Sequence, residues 1–317
     1  MSPLARLLAA RLASGVLTLL IVSLLVFLAT EMLPGDVAQA VLGQSATPDA
    51  VAALRAAMHL DQPGWLRYLL WLRGLLTLDL GRSLVNGLPV ASLIGSRLPN
   101  SLLLAGLTAL VAVPVALLLG ITAAVWRGTA YDRVVGVLTV SAVSVPEFLV
   151  ATLAVLVFAV RLHWLPAMFY GLDLRSPGHM LLVFAMPVAT LSFVVVAQIA
   201  RMTRAALTNV LDSSYIEMAV LKGVRPLRLV LRHALPNALG PIVNAVALSV
   251  SFLLGGVIIV ETIFNYPGLA KLMVDGVSTR DMPLVQACAM IFCAAYLLLV
   301  LLADLLAILA NPRLRHP

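Results

Sequence analysis

Charge is scarce in this chain. Of its 317 residues only 11% are Asp, Glu, Lys or Arg, where a soluble domain carries about 25%. Hydrophobic residues make up 62%, and mean hydropathy is +1.06. That balance excludes a solvated globular domain and reads as an integral membrane protein. Cysteine is nearly absent. Cys288 and Cys293 stand five apart in an apolar run, with no His or Asp at metal-ligand spacing. Both read as small packing residues, and no metal site is assigned. Aromatic residues are only 6%. The net charge of +7 and pI of 10.0 therefore do not point to nucleic acid. Basic residues flank the apolar runs instead of forming a patch interleaved with aromatics. Catalytic signatures are missing too. The chain has no GxxxxGK[ST], no HExxH and no GxSxG, so no catalytic residue and no cofactor bound by this chain are expected. Its five histidines are scattered, and His163-Trp164-Leu165-Pro166 reads as an interfacial anchor.

What the chain does have is long uncharged runs. About 20 apolar residues cross a bilayer. Six such runs are read as transmembrane helices: 12–30, 98–126, 134–160 (holding only Glu147), 181–200, 237–260 and 282–303. The expected fold is all-α, with six spans. Orientation follows from arginine and lysine. With the N-terminus cytoplasmic, inside segments hold twelve of the 21 basic residues against Asp132, Asp212 and Glu217. Outside segments hold nine basic and nine acidic residues. Both termini, 1–11 and 309–317, are thus expected in the cytoplasm. Arg6 and Arg11 before an apolar run also fit a secretion signal. That run is about 19 residues long, and no convincing small-x-small cleavage site precedes Glu31, so it is expected to remain as the first span.

The segment 31–97 is expected outside. Leu33-Pro34-Gly35-Asp36 reads as a turn. Thr47-Pro48 reads as an N-cap and N1 proline opening a helix to about His59. Trp65 to Leu76 is too short to span and carries Trp65, Tyr68 and Trp71, so it is expected along the outer surface. The segment either caps the helix bundle or forms a landing surface for an external partner. Prolines 114, 146, 187 and 241 fall in or near spans, as kinks packed by neighbours or as bends lining a pathway. Gly255-Gly256 permits close helix approach. Acids inside spans are functional candidates by default. Asp304 lies near a span end and reads as structural or interfacial. Pro146, Glu147, Gly255 and Gly256 are kept as candidates for a pathway.

One stretch stands apart, Tyr215 to Pro236, YIEMAVLKGVRPLRLVLRHALP. Lys222, Arg225, Arg228, Arg232 and His233 fall within twelve positions. Such a segment does not lie in hydrocarbon, so it is a water-facing loop with its own helices. Glu217 to Lys222 reads as the end of one helix, stopped by Gly223. Pro226 reads as the first residue of a second helix. That helix is expected to place Leu227, Val230 and Leu231 on one face, with Arg225, Arg228 and Arg232 nearer the other. It reads as a docking element for a separate protein, lying in a cytoplasmic loop, 205–236, between spans 4 and 5.

Glu217 and Ala219, six and four positions before Gly223, resemble the EAA loop of ABC-importer permeases. The following basic helix and the ending His233-Ala234-Leu235-Pro236-Asn237-Ala238 fit that pattern. The whole chain is similar to the first permease of the dipeptide, oligopeptide, nickel and glutathione branch. Motifs arrive in that family's order: Leu33-Pro34-Gly35-Asp36, Leu60-Asp61-Gln62-Pro63, Asp79-Leu80-Gly81-Arg82-Ser83, Arg97-Leu98-Pro99-Asn100-Ser101 and Ser144-Val145-Pro146-Glu147-Phe148. Ala200-Arg201-Met202-Thr203-Arg204, Gly255-Gly256, Glu261-Thr262-Ile263-Phe264, Tyr266-Pro267-Gly268, Arg280-Asp281-Met282-Pro283 and Asn311-Pro312-Arg313 follow. Two departures are visible, Met218 within the EAA triplet and Asn311 in place of aspartate.

The resemblance implies a five-part importer in a bacterial inner membrane. This permease would pair with a homologous second permease. Two cytoplasmic ATPases, carrying ATP and magnesium, would meet Glu217, Ala219, Lys222, Gly223, Arg225, Arg228, Arg232 and His233. An extracytoplasmic solute-binding protein would deliver cargo, with short peptides favoured and glutathione or nickel complexes as alternatives. From the residues alone, Glu147 and the span prolines also admit a self-sufficient secondary transporter or channel. Such folds usually show internal repeats, and no clear halves are visible here.

Overall fold

A computed structural model describes residues 3–32, 47–57, 61–170 and 176–310. The Leu33–Asp36 turn, the helix end near His59, Leu60 and the Asn311–Arg313 motif lie outside the described residues. Every regular element described is helical, apart from an isolated bridge between Arg82 and Pro89. In chain order these are α1 (Pro3–Glu31), α2 (Pro48–Ala57), α3 (Gly64–Leu76), α4 (Val90–Val125) and α5 (Ala130–Ser144). Next come α6 (Glu147–Ala154, running into a π-helical stretch Val155–Arg161), α7 (Pro177–Leu211) and α8 (Ser214–Leu221). The last are α9 (Pro226–Leu229, running into a π-helical stretch Val230–Ala234), α10 (Leu235–Ile263), α11 (Leu269–Ser278) and α12 (Met282–Ala310).

Among the described residues, five stretches are long and apolar enough to cross a membrane: Ala9–Glu31, Val90–Val125, Gly178–Leu211, Pro226–Ile263 and Met282–Leu306. A sixth candidate is α5 with α6, and these two meet at 98°. The run 134–160 is therefore not one straight helix. Pro146 explains the break: it disfavours helical backbone at Val145, whose φ of −88° and ψ of 126° are extended. Helix α4 also starts at Val90 instead of 98, and α7 continues to Leu211, beyond the expected end at 200. Helix α11 lies between the last two spans, in a stretch where no helix was anticipated.

The chain divides into two compact units. One comprises Ala5–Ser101 with Pro267–Ala295. Here α3 lays Tyr68 and Trp71 against Phe27 of α1, with ring centroids 5.4 and 6.1 Å away. The Tyr68 hydroxyl bonds Ser23 Oγ at 2.9 Å, and Arg67 pairs with Glu31. The opposite side of α3 leaves Trp65, Leu69 and Leu70 exposed, which fits a surface-lying helix. Elsewhere in this unit, Val90, Ile94, Leu269, Leu284, Ala287 and Cys288 form an apolar cluster. Cys288 is packed there as a small apolar residue.

Buried and half-buried polar ties join motifs far apart in sequence within that unit. The Asp281 carboxylate accepts from Ser83 Oγ and from the Leu84 amide at 3.1 Å. Asn100 Nδ2 donates to the Pro267 carbonyl at 2.7 Å. The Leu269 amide donates to Ser101 Oγ at 2.7 Å.

The other unit comprises, among the described residues, those of 102–266 together with 296–310 and 3–4. Helices α7 and α10 are its main packing pair, with α5 and α6 also against α7. Phe169, Phe184 and Tyr266 form an aromatic cluster with centroids 4.8 to 6.2 Å apart. The Phe169 amide donates to the Phe264 carbonyl at 2.8 Å, fixing the chain beside the end of α10. Helix α4 crosses α7 closely at Gly120. A Cβ there would lie 2.6 Å from the Ala200 carbonyl and 2.7 Å from Thr203 Cβ, so only glycine permits the approach.

Candidate functional site: the basic helical loop and the broken span

The loop after α7 is built by local backbone chemistry. Asp212 closes α7, and Ser213 precedes α8. At the far end of α8, Gly223 takes φ +78°, a region that side chains with a Cβ disfavour. Its amide donates to the Val220 carbonyl at 2.8 Å, and the Val224 amide donates to Ala219 at 3.2 Å. That pair of bonds is a Schellman motif, which satisfies the last carbonyls of α8. Arg225 is extended, and Pro226 opens α9 at its first position. Stop and restart thus fall at the two residues that sequence reasoning named.

The buried side of the loop is apolar. Ile216, Leu229, Val230, Ala234, Ala238 and Ile242 join Ala124 of α4 and Leu207 of α7 in one core. Ala219 and Val224 pack on its edge. The facing of α9 differs from expectation. Val230 is buried, but Leu227 and Leu231 are 58% and 46% exposed, and Leu229 takes the inward position. Leu227 and Leu229 both precede the π-helical stretch Val230–Ala234, so the inward side follows from packing, with Leu229 and Val230 set against Ala124 and Leu207. Leu227, Leu231, Met218, Val220, Leu221 and Tyr215 are exposed together on this loop. Glu217, Lys222, Gly223, Arg225, Arg228 and Arg232 are exposed as well, Ala219 is half-buried, and His233 is half-buried. The His233 carbonyl accepts from Asn237 Nδ2 at 2.9 Å and from the Tyr215 hydroxyl at 3.5 Å. The outer face therefore offers exposed apolar side chains beside guanidinium groups, which suits protein docking.

The pathway candidates separate. Pro146 and Glu147 sit at the start of α6, where the broken span turns. Gly256 of α10 is buried against the Glu147 carboxylate, and a Cβ at Gly256 would lie 2.5 to 2.9 Å from it. Gly255 is exposed and has no atom within 4 Å of where its Cβ would be, so the structure does not bring it to this contact. Only one of the two glycines makes the close approach.

Sequence reasoning missed a further feature of the same unit. Arg204 of α7 grips Asp132 in the first turn of α5, Nε to Oδ1 at 2.5 Å and Nη2 to Oδ2 at 2.8 Å. The Gly128 amide also donates to Asp132 Oδ2 at 3.0 Å. Arg127 pairs with Asp212 at 2.7 Å. In the sequence Asp132 and Asp212 counted only as acids of the inside segments. Their pairing with Arg204 and Arg127 was not visible because 72 and 85 positions separate the partners. No group of His, Cys, Asp and Glu among the described residues could hold a metal ion.

Comparison with known proteins bears on this arrangement. Residues 116–316 match the family described as binding-protein-dependent transport system inner membrane component, and residues 4–105 match the N-terminal component of the same kind of system. A glutathione transport system permease protein, GsiC of Escherichia coli (strain K12), is 40% identical over 306 residues, covering 96% of this chain and 97% of that protein. A Brucella abortus (strain 2308) protein assigned as a peptide transport system permease is 36% identical over 306 residues, covering 96% and 98%.

Proposed function

Because the chain belongs to the family of binding-protein-dependent transport system inner membrane components, a multi-pass permease of an ABC importer, we propose that it forms half of a translocation pathway for short peptides and passes ATPase movement to it through the 215–236 loop. The family works with ATPases and a binding protein in general. The specific assembly proposed is this chain, one homologous second permease, two ATPases and one extracytoplasmic binding protein. ATP and magnesium belong to the ATPases in this reading, and this chain contributes no catalytic group and holds no cofactor.

The observation that carries the proposal is the exposed apolar and basic face of α8 and α9, presented on a core shared with α4 and α7. Movement imposed on that face has a packed route to two long helices. Proteins transmit such movement when partner affinity differs between two states. Glu217, Ala219, Lys222, Gly223, Arg225, Arg228, Arg232 and His233 are the residues assigned to ATPase contact or to shaping it. Pro146, Glu147 and Gly256 are assigned to the pathway. Gly255 is left without a contact that would argue for it.

Peptide cargo is favoured by the Brucella relative. Glutathione, itself a small peptide, is favoured by the Escherichia coli relatives at 40% identity. These two readings share one chemistry, an amide-linked solute with free carboxylates. The alternative of nickel complexes rests on the resemblance of the motifs alone.

The test is purification of the tagged chain from detergent-solubilised native membranes, followed by reconstitution. Recovery of a second permease and ATPases, with ATP-dependent uptake of glutathione or trialanine delivered by the binding protein, is expected. Uptake into liposomes by this chain alone would overturn the proposal in favour of a secondary transporter.

A further inference from the structure

We propose that the Arg204–Asp132 pair is the positioning element that transmits movement of the 215–236 loop to the broken span, α5 and α6. This rests on the ATPase-coupling reading above and adds the route beyond it. The core around the loop contains residues of α4, α7, α8, α9 and α10. No residue of α5 or α6 belongs to it. Helices α4 and α7 are therefore moved by packing within this core, whereas α5 and α6 pack on α7 outside it, and Arg204–Asp132 is the polar tie that joins them to α7 beside the loop.

Asp132 supplies that attachment. It is 5% exposed and stands first in the inward stripe of α5, Asp132, Val135, Thr139 and Ala142. The remaining three are apolar or small, and they allow sliding along α7. The charged member does not. Arg204 holds both carboxylate oxygens, and a fork of this kind fixes angle as well as distance. The Gly128 amide and the Asp132 carboxylate then tie the turn before α5 to the same point. Arg204 lies one turn from Leu207, which is fully buried in the loop's core. Displacement of that core is thus delivered within one helical turn to Asp132.

At its other end α5 stops at Ser144, and the chain turns through 98° into α6. There Glu147 meets Gly256. A rotation of α5 about its tether would swing the Pro146 corner and change that contact. The second pair, Arg127–Asp212, is 47% and 58% exposed. Pairs at that exposure contribute little, so it serves as an internal control.

The test uses the assembled complex of this chain with its second permease and ATPases, in a Cys288→Ala/Cys293→Ala background carrying Phe148→Cys as a reporter on α6. Maleimide labelling of that cysteine is timed with and without ATP plus vanadate, alongside ATP hydrolysis. In the otherwise unaltered complex, nucleotide is expected to change the labelling rate. Asp132→Asn is expected to reduce that nucleotide effect by about 3- to 30-fold, with ATP hydrolysis retained within about twofold. Arg204→Lys keeps the charge but loses the fork, and is expected to fall between. Arg127→Gln is expected to keep the full response. If Asp132→Asn does not accumulate, Arg204→Lys decides alone.

An undiminished nucleotide effect in Asp132→Asn or in Arg204→Lys would overturn the inference. Equal losses of labelling response and ATP hydrolysis would also overturn it, as a merely structural role. So would a reporter that ignores nucleotide in the parent complex while ATP is hydrolysed. A parent complex without any ATPase would instead sink the functional reading on which this inference rests.

Discussion

Gly223 and Gly256 illustrate two different uses of a missing side chain. At Gly223 the constraint is backbone angle, φ +78° with open space around the position. A β-branched residue there costs roughly 1–2 kcal/mol in left-handed strain and unravels the Schellman turn. Gly223→Val is expected to insert and accumulate normally, yet to lose ATP-dependent uptake. Membrane protein level by immunoblot and uptake in the same cells check this, and normal uptake at wild-type level would count against a coupling role for the turn. At Gly256 the constraint is space. Gly256→Ala places a methyl group against the Glu147 carboxylate, so either the carboxylate or α6 must shift. Its expected outcome is reduced uptake with ATPases still bound, while Gly255→Ala, facing open space, leaves uptake unchanged. Equal effects at the two positions would argue against a specific Glu147–Gly256 contact.

Among the elements, the polar ties and the loop helix make separable demands. Asp281 is 1% exposed and satisfies both Ser83 and the Leu84 amide. Removing it strands the buried Ser83 hydroxyl, at about 1–3 kcal/mol, and leaves the half-buried Leu84 amide without its acceptor. Asp275 instead pairs with Lys271 one turn away on the exposed side of α11, a contact worth about 0.3–0.5 kcal/mol. Asp281→Ala is therefore expected to lower the melting temperature in detergent clearly more than Asp275→Ala. In α9 the exposed Leu227 and the buried Leu229 should also separate. Leu227→Asp is expected to preserve the fold and lose co-purifying ATPases, whereas Leu229→Ala destabilises by about 2–5 kcal/mol. These facings show where sequence reading reached and where it stopped. Gly223 and Pro226 were legible, because a positive φ and a missing N–H are properties of single residues. The inward side of α9 was not, since Leu229 turns inward onto a core supplied by α4 and α7, whose position no local pattern records. Pro146 announced a bend, but its 98° angle depends on how α5 and α6 pack on α7 and α10. The Ser83–Asp281 tie joins two visible motifs, yet 198 positions separate them, and one sequence carries no signal of their meeting.

For the whole molecule, the open expectation is direction across the membrane. Twelve basic residues on one set of segments face three acids, while the other set is balanced at nine of each. Translocation disfavours short loops rich in Lys and Arg, so the 215–236 loop should remain in the cytoplasm, where ATPases are. The same rule places the 79–89 segment outside. Two exposed positions test both halves, Lys222 in the loop and Val85 in the outer segment. In the cysteine-free background, Val85→Cys should react with a membrane-impermeant maleimide on intact cells. Lys222→Cys should react only after the membrane is opened. The reverse pattern would set the basic loop outside, away from any ATP, and the coupling role would fall with it. Labelling of both from outside would mean that the loop is not held on one side at all. Only the expected pattern lets the Schellman turn, the apolar core behind it and the Arg204–Asp132 fork act in series on the broken span.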